Sequence, residues 1–273
     1  MPFIELSDVS FRYPGEENLA LSQINLLIRK GEFISLIGAN SSGKTTLGRL
    51  MNALLIPTNG RVVVDSLDTS NQSNIIPVRR RVGMIFQNPD NQIVATTVEE
   101  EVAFGPENLC LSSGEIRKRV YKALNITGLT DYWNYPPHLL SGGQKQLLAI
   151  ASILAMEPEC IIFDEPTSLL DPSNRKIVND KIKELSSGGM TVIFITHRME
   201  EVLLSQRVVV LKDGRIVKDG KPIDLFSMEI ESLIKFNLYP PEIVQVINKL
   251  RERGLYIPKE IVSSKDLVDY LCQ

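Results

Sequence analysis

The sequence contains few cysteines, no long apolar run and almost no excess of charge of either sign. Its cysteines, Cys110, Cys160 and Cys272, are odd in number and widely spaced, which argues against a disulfide framework or a zinc-binding pattern. The longest apolar stretch, 147–156, is shorter than the roughly 20 residues that a membrane-spanning helix needs. With 30 Lys and Arg against 33 Asp and Glu, the chain also lacks the basic footprint of a general nucleic-acid binder.

The remaining composition, 43% hydrophobic and 23% charged, is that of an ordinary globular protein. A length of 273 residues predicts one or two domains with a core that needs no metal or disulfide support. The first five residues lack the basic start and the apolar core of a signal peptide. We therefore expect a cytosolic chain that does not cross a membrane by itself.

Short apolar runs alternate with helical patterns along most of the chain. The runs at Phe33–Ile37, 160–163 and Thr191–Ile195 are typical of parallel strands that are buried on both faces. Segment 4–13 alternates apolar and polar residues, which predicts a strand with one covered face. Helical patterns lie near 44–55, 114–127, 143–156 and 173–186. Strands that alternate with helices indicate an α/β domain with a mainly parallel sheet.

The pattern changes near the C-terminal end. Apolar residues recur at helical spacing between Pro241 and Gly254, which predicts a helix that the glycine ends. Ser263 and Asp266 match a capping box ahead of a further helix. We therefore expect a first domain over residues 1–225 and a small helical subdomain over residues 226–273.

The segment from Gly38 to Thr45 matches the pattern G-x-x-x-x-G-K-[ST], directly after a buried strand and at the start of a helix. Successive backbone N–H groups and a helix N-terminus form a concave anion site, and glycines let the backbone approach phosphate oxygens. We expect Lys44 to reach the β- and γ-phosphates of a nucleotide and the Thr45 hydroxyl to ligate Mg²⁺. The predicted phosphate-binding residues are Gly38, Asn40, Ser41, Ser42, Gly43, Lys44, Thr45 and Thr46.

A second chemical signal is the apolar strand that ends in Asp164 and Glu165. Alternation along a strand puts these two side chains on opposite sides, unless the backbone turns there. One carboxylate can then hold the Mg²⁺ shell while the other faces an attacking water. We assign Asp164 to the metal and Glu165 to general-base catalysis.

Residues 140–144, Leu-Ser-Gly-Gly-Gln, resemble the signature motif of ATP-binding cassette (ABC) ATPases, and other motifs of that family occur in order. Gln87 matches the glutamine loop, Asp171 belongs to a segment that resembles the D-loop, and His197 matches the switch histidine. Tyr13 lies where the family stacks an aromatic ring on adenine, with core packing as the alternative interpretation. The number and order of these motifs make a chance match negligible.

This resemblance implies a P-loop NTPase core with a mainly parallel sheet and an N-terminal antiparallel β subdomain. It also implies an inserted helical subdomain over about 88–158, ahead of the C-terminal helical extension. The cofactors that the resemblance implies are ATP and Mg²⁺, and the working unit that it implies is a head-to-tail dimer with two ATP molecules at its interface. The Mg²⁺ site would comprise Thr45, Gln87 and Asp164.

The signature residues open a helix and therefore offer free N–H groups and a hydroxyl to an anion. Because this chain already has a separate phosphate loop, the resemblance implies that they serve ATP held by another subunit. His197 would contact the γ-phosphate and position Glu165 and water, while Gln87 would link the site to the process that ATP drives. The residues assigned to the second subunit's nucleotide are Ser141, Gly142, Gly143 and Gln144, with Asp171 also assigned to nucleotide binding.

A narrower resemblance is to the ATPases of energy-coupling factor (ECF) transporters, which import vitamins and metal ions. It rests on residues 86–93, on residues 98–106 and on the C-terminal helical addition. The resemblance implies an ECF-type transmembrane coupling subunit, a substrate-binding membrane subunit and a second ABC subunit, identical or paralogous. It further implies a peripheral location on the cytoplasmic face of the cell membrane, and we expect no nucleic-acid partner.

Two residues depart from the family pattern. Ser41 stands where the family usually has glycine, so a left-handed backbone there would carry strain and tune nucleotide affinity. Leu147 stands where the family usually has arginine, which removes a charge that helps to orient the signature region.

Two other functions stay open on sequence alone. One is a soluble ABC ATPase that acts on DNA or ribosomes, although the 103-residue spacing from Gly38 to Ser141 leaves no room for the long coiled coil of DNA-repair members. Ribosome-associated members carry two cassettes, and this chain carries one set of motifs. The other is a regulatory subunit that does not hydrolyse ATP, which the intact Glu165 argues against.

Overall fold

The computed structural model describes residues 2–228, 230–258 and 260–272. The ends of the two expected domains, Met1 and Gln273, lie outside the described residues, as do Glu229 and Lys259. The strands are β1 (Ile4–Phe11), β2 (Leu21–Ile28), β3 (Phe33–Ile37), β4 (Asn59–Val64), β5 (Leu67–Asp68), β6 (Val82–Ile85), β7 (Cys160–Asp164), β8 (Thr191–Ile195), β9 (Arg207–Lys212) and β10 (Arg215–Gly220).

The helices lie between and after these strands. They are α1 (Lys44–Met51), α2 (Ile75–Arg81), α3 (Val98–Asn108), α4 (Ser113–Thr127), α5 (Gly142–Leu154), α6 (Pro172–Ser187), α7 (Met199–Val202), α8 (Pro222–Phe226), α9 (Ile230–Lys235), α10 (Glu242–Glu252) and α11 (Ser264–Leu271). Over the described ranges, no helix combines the length and the apolar character that crossing a membrane requires.

The central sheet has the strand order β10-β9-β3-β8-β7-β6. Strands β9, β3, β8, β7 and β6 run parallel, and β10 joins β9 in antiparallel orientation. Every residue of β3, β7 and β8 is buried, because helices cover both faces of a parallel sheet. The parallel arrangement brings the carboxyl ends of these strands to one edge of the sheet, where the phosphate loop follows β3.

A second, antiparallel sheet has the order β2-β1-β4-β5. One face of this sheet packs over α1 and the central sheet in a shared apolar cluster, which includes Ile4, Leu26 and Val62 together with Leu47 and Ile34. The other face is polar or exposed, which explains the alternating pattern of β1 and β2.

Helices α3, α4 and α5 pack together and form the inserted helical subdomain. Helix α3 begins with a full capping box between Thr97 and Glu100, and Ser112 caps α4. Together with the two sheets and the C-terminal helices, this confirms the α/β fold that the sequence predicts, including its antiparallel and helical subdomains.

The C-terminal helices begin inside the apolar core of the first domain. Leu238 is 4% exposed and packs in one apolar cluster with Ile37, which precedes the phosphate loop, and with Met199 at the start of α7. We call this group the extension cluster; its buried members are Ile37, Met199, Val202, Val208, Val210, Leu225, Phe226, Leu233, Leu238 and Val244. The boundary at residue 225 stays a prediction, and apolar packing is continuous across it.

The final helix begins with half of the expected capping box. The Ser263 Oγ accepts a hydrogen bond from the Asp266 backbone N–H at 3.2 Å. The Asp266 carboxylate, however, accepts from the Ser263 hydroxyl at 2.6 Å and makes no bond to the Ser263 backbone N–H in the described structure. The reciprocal bond of the capping box was therefore wrongly predicted, since the shorter aspartate side chain binds the hydroxyl instead.

The extension cluster makes a testable prediction about stability. Leu238→Ala is expected to lower the free energy of unfolding by about 2–4 kcal/mol, because it opens a cavity in a packed core. Val246→Ala, on the exposed side of α10, is the matched control and should cost far less. Equal losses in urea unfolding would show that Leu238 is not part of a common core.

Candidate nucleotide site

The phosphate loop of residues 38–45 connects β3 to α1 and turns sharply before the helix. Gly43 precedes α1 with a φ of 102°, in the left-handed region that glycine tolerates. A Cβ at this position would lie 2.6 Å from Leu21 Cδ2 and 2.8 Å from the Ala20 carbonyl. The segment at Ala20 and Leu21 therefore leaves space only for glycine at position 43. The backbone N–H groups at the start of α1 are free to face an anion.

Lys44 is buried and its ammonium lies inside the loop. It donates to the carbonyls of Gly38 and Ala39, both at 2.9 Å. Burial lowers the pKa of Lys44, against the weaker opposing effect of Glu165 and Asp164. The ammonium is thus held in place by neutral carbonyls, in a position that a triphosphate would stabilise further.

Thr45 and Asp164, two of the residues assigned to Mg²⁺, lie together in the structure. The Thr45 hydroxyl donates to Asp164 Oδ1 at 2.9 Å, across 119 positions of the chain. Burial raises the pKa of Asp164, while the bond from Thr45 acts in the opposite direction. Along the described ranges, no group of three or more His, Cys, Asp or Glu side chains could hold a metal ion alone.

The backbone turns between Asp164 and Glu165, which is the exception that the sequence argument left open. Glu165 has a φ of 50°, and its N–H donates to the Ile195 carbonyl at 2.9 Å. Its carboxylate contacts His197 Nδ1 at 3.0 Å and accepts a longer bond, 3.5 Å, from the Gln87 amide. Asp164 therefore faces Thr45, while Glu165 faces the glutamine loop and the switch histidine.

Lys44, Thr45, Gln87, Glu165 and His197 line one open cavity of about 1320 Å³. Asp164 lies behind Thr45, outside the wall that the described residues form. The wall also includes Tyr13 and other residues of the phosphate loop. Tyr13 is half-buried; its hydroxyl lies 3.0 Å from the Thr46 hydroxyl, and its ring meets Phe11 edge-on. One face of Tyr13 is thus anchored to the core while the residue still borders the cavity, so both of its predicted roles stay compatible with the structure.

Some cavity residues were not identified from the sequence. The loop before β2 contributes Glu16 and Asn18, and the C-terminal extension contributes Asn237 and Tyr239. Tyr239 is 70% exposed and follows the buried Leu238, which carries it to the cavity wall. Its only local sequence signal is its position before two prolines, which says nothing about a site formed by β3.

The signature residues lie elsewhere. Ser141 caps α5, because its Oγ accepts a hydrogen bond from the Gln144 N–H at 3.3 Å. In turn, Gln144 Oε1 accepts a hydrogen bond from the Ser141 N–H at 2.9 Å. A Cβ on Gly143 would clash with the Asn174 side chain on α6. Among the described residues, the cavity wall includes none of 141–144, and Asp171 is also absent from it.

Asp171 instead caps α6. Its carboxylate accepts from the backbone N–H groups of Ser173 and Asn174 at 2.9 and 3.0 Å. The Asn174 bonds hold the pKa of Asp171 below its usual value. The start of α5 and the start of α6 are therefore adjacent, exposed helix N-termini on the surface of the chain.

Ser41 has a φ of 63°, as its departure from glycine implied. A left-handed backbone costs an L-residue about 1–2 kcal/mol, partly offset by the extra freedom that glycine has when unfolded. Ser41→Gly is therefore expected to raise the free energy of unfolding by up to about 1 kcal/mol, measured in urea. Ser42→Gly, at a position with no positive φ, should lower it; a loss of stability in Ser41→Gly would contradict the strain argument.

A strand, a phosphate loop and a helix, facing two consecutive carboxylates at the end of strand β7, define a P-loop nucleoside triphosphatase. The family model described as ABC transporter matches residues 21–168. The energy-coupling factor transporter ATP-binding protein EcfA1 of Caldanaerobacter subterraneus subsp. tengcongensis is 48% identical over 274 residues, which cover 99% of each chain.

Solved structures agree with this likeness. CbiO1 from Clostridium perfringens, part of the ABC transporter complex CbiONQ, superposes with a TM-score of 0.78 at 36% identity, covering 90% of this chain and 99% of that one. A dimeric ATP-binding cassette in a post-hydrolysis state with ADP and Pi gives a TM-score of 0.71 at 33% identity, covering 80% and 98%. The chain belongs to the ABC ATPase family, among the ATP-binding proteins of energy-coupling factor transporters, and it is an ATPase that binds ATP.

Proposed function

We propose that this chain is the ATP-hydrolysing subunit of an energy-coupling factor importer. In this role, ATP closes a head-to-tail dimer of ABC subunits, and closure and reopening drive uptake of a vitamin or metal ion through a membrane partner. The substrate is held by a separate membrane subunit, so no residue of this chain would contact it. The proposal places the chain peripherally on the cytoplasmic face of the cell membrane.

One observation carries the dimer part of the proposal. The chain builds a cavity with a phosphate loop, a general-base candidate and a histidine, but its second anion-binding helix start, at Ser141, lies outside that cavity. A helix N-terminus with a serine cap and two glycines suits a phosphate. It is useful for ATP only if it approaches a nucleotide held by another subunit.

Within one subunit, the phosphate loop would bind the triphosphate through its N–H groups and Lys44. Asp164 and the Thr45 hydroxyl would hold Mg²⁺, with Gln87 at the edge of the metal shell. The donor set would fit this ion, because the carboxylate of Asp164 and the hydroxyl of Thr45 are oxygen donors, the kind that Mg²⁺ prefers. Bound Mg²⁺ supplies charge neutralisation at the β- and γ-phosphates. Burial raises the pKa of Asp164, and a nearby cation would lower it again.

Glu165 would accept the proton of the attacking water. His197 contacts the Glu165 carboxylate through its Nδ1 and also lines the cavity. Gln87 reaches the same carboxylate from the glutamine loop. A movement of that loop would therefore change the position of the base, which gives a physical route from a membrane partner to hydrolysis.

The membrane partner would dock beside the glutamine loop. The short turn at Pro89–Asn91 is tied to the signature helix by an ion pair of 2.7 Å between Lys145 and Asp90. Next to it, Val94 and Phe104 are 68% and 52% exposed, which provides apolar surface on the helical subdomain. A docked helix would thus contact the glutamine loop and the signature helix together.

Mixing of variants tests the shared sites. Lys44→Met and Ser141→Arg subunits should each be inactive alone, and an equal mixture should recover roughly a quarter of wild-type ATPase activity, since half the dimers contain one intact site. Mixing either variant with a Lys44→Met/Ser141→Arg double variant is the matched control and should recover nothing. No recovery at any ratio would contradict a homodimer with shared sites.

Purification from native membranes in mild detergent tests the transport role. We expect a transmembrane coupling subunit and a small substrate-binding membrane protein to co-purify with the tagged chain. A second ABC subunit in the complex would indicate a heterodimer. Recovery of ribosomes or DNA-bound proteins instead would favour the alternative, a soluble ABC ATPase acting on nucleic acid or ribosomes.

A further inference from the structure

A buried carboxylate outside the nucleotide cavity connects three of the segments that carry the site. Glu201, on α7, is 3% exposed. Its Oε1 accepts from the Thr167 hydroxyl at 2.6 Å and from the Asn179 amide at 3.3 Å, and its Oε2 accepts from the Thr196 hydroxyl at 2.5 Å. Across the described chain, no Lys, Arg or His nitrogen lies within 4.0 Å of this carboxylate.

A buried charge that is stabilised by hydroxyl and amide donors alone is costly to maintain. An apolar residue of similar size would pack at this position at a lower cost, if packing were the only requirement. The positions of the donors suggest a different requirement. Thr167 lies two residues after Glu165, Thr196 lies directly before His197, and Asn179 lies on the helix that Asp171 caps.

Each threonine also lies in a turn that is closed by hydrogen bonds. The Thr196 hydroxyl accepts from the Arg198 N–H at 3.0 Å, which sets the direction of the chain at His197. After Glu165, the Ser168 N–H and hydroxyl both donate hydrogen bonds to the Glu165 carbonyl, at 3.2 and 3.0 Å. Thr167 therefore lies inside a hydrogen-bonded turn. Glu201 therefore holds the two turns that present the Glu165–His197 pair.

We propose that Glu201 is a positioning residue for ATP hydrolysis: its carboxylate fixes the distance between Glu165 and His197 through Thr167 and Thr196. The Glu165 backbone is left-handed, with a φ of 50°, and such a conformation persists only where its surroundings enforce it. The proposal rests on the base role assigned to Glu165. It adds that the Glu165–His197 contact depends on a residue that touches neither side chain.

Glu201→Gln keeps the size of the side chain and replaces one acceptor oxygen with an NH₂ group. We expect kcat to fall about 10- to 100-fold, as for a displacement of about 1 Å in a catalytic pair, with little change in KM for ATP. Glu101→Gln is the matched control. Glu101 is another buried carboxylate, 4% exposed, which accepts from the Val94 and Ala95 N–H groups and lies outside the catalytic pair.

A second measurement separates positioning from general support of the fold. The sequence contains two histidines, so the ring signals of His197 can be observed by NMR with the exposed His138 as an internal reference. Replacing Glu165 by Gln should shift the His197 signals in the wild-type background. The same replacement should produce little shift in the Glu201→Gln background, where the two residues no longer meet.

If Glu201→Gln is too unstable to study, Thr196→Val removes one arm of the network with little change in shape, and Thr196→Ser restores the hydroxyl. Loss of kcat in the valine variant with recovery in the serine variant is the expected result. An unchanged kcat in Glu201→Gln, or a His197 signal that responds to Glu165 as in the wild type, would overturn the proposal. Full activity of Glu165→Gln would instead contradict the base role and leave the NMR comparison intact.

Discussion

Glu165→Gln is expected to lower the turnover of ATP by about 10²- to 10⁴-fold, the usual contribution of a general base. The amide keeps the size of the side chain and a hydrogen bond to His197, but it cannot accept the proton of the attacking water. ATP binding should survive, because the phosphate loop and Asp164 are unchanged. Under the dimer proposal, the variant should accumulate as an ATP-bound dimer.

Single-turnover hydrolysis and size-exclusion chromatography with ATP would measure both effects. Asp164→Asn is an informative comparison, since it should lose the Mg²⁺ dependence of ATP binding. Unchanged hydrolysis in Glu165→Gln would reject Glu165 as the base and leave the water to be activated by the phosphate itself.

Lys44→Met should produce a different pattern, in which ATP binding itself is weakened. Hydrogen bonds to charged groups contribute about 1.5–3 kcal/mol, so we expect roughly a 10- to 150-fold weaker affinity for ATP. Among the described residues, the Lys44 ammonium bonds only to the Gly38 and Ala39 carbonyls, and burial lowers its pKa. Because the triphosphate would stabilise this charge, its removal costs affinity more than stability.

Equilibrium binding of a fluorescent ATP analogue would measure this change. Lys30→Met, which removes an exposed ammonium paired with Glu159, is the matched control and should bind the analogue normally. Wild-type affinity in Lys44→Met would mean that the loop holds phosphate through its backbone alone. The two variants together separate the binding of ATP from its hydrolysis.

Much of the fold could be predicted because its signals are local. The runs at Phe33–Ile37 and Thr191–Ile195 are strands with the expected bounds, since a nearly continuous apolar run suits a parallel strand that is buried on both faces. The phosphate loop is equally local: its glycines, lysine and threonine are contiguous. The strain at Ser41 was predictable for the same reason, because one residue departs from a short pattern whose backbone is fixed.

The remaining features depend on contacts between distant parts of the chain. Glu201 lies in an ordinary acidic helix start, and only the fold brings Thr167 and Asn179 to it. Tyr239 reaches the cavity because Leu238 packs against strand β3, two hundred positions earlier in the chain. The half-formed cap at Ser263 shows a third limit, since a pattern of residue types does not decide which of two donors an aspartate will bind.

The extension cluster has a consequence for protein engineering. Because Leu238 packs in one apolar cluster with Ile37 and Met199, we expect that the end of this chain cannot be exchanged for that of a related subunit as a separate module. A chimera joined at residue 225 would inherit the surface beside the phosphate loop from one parent and the side chain that fills it from the other. Chimeras that also transfer the residues at 37 and 199 should express and fold better than those that do not.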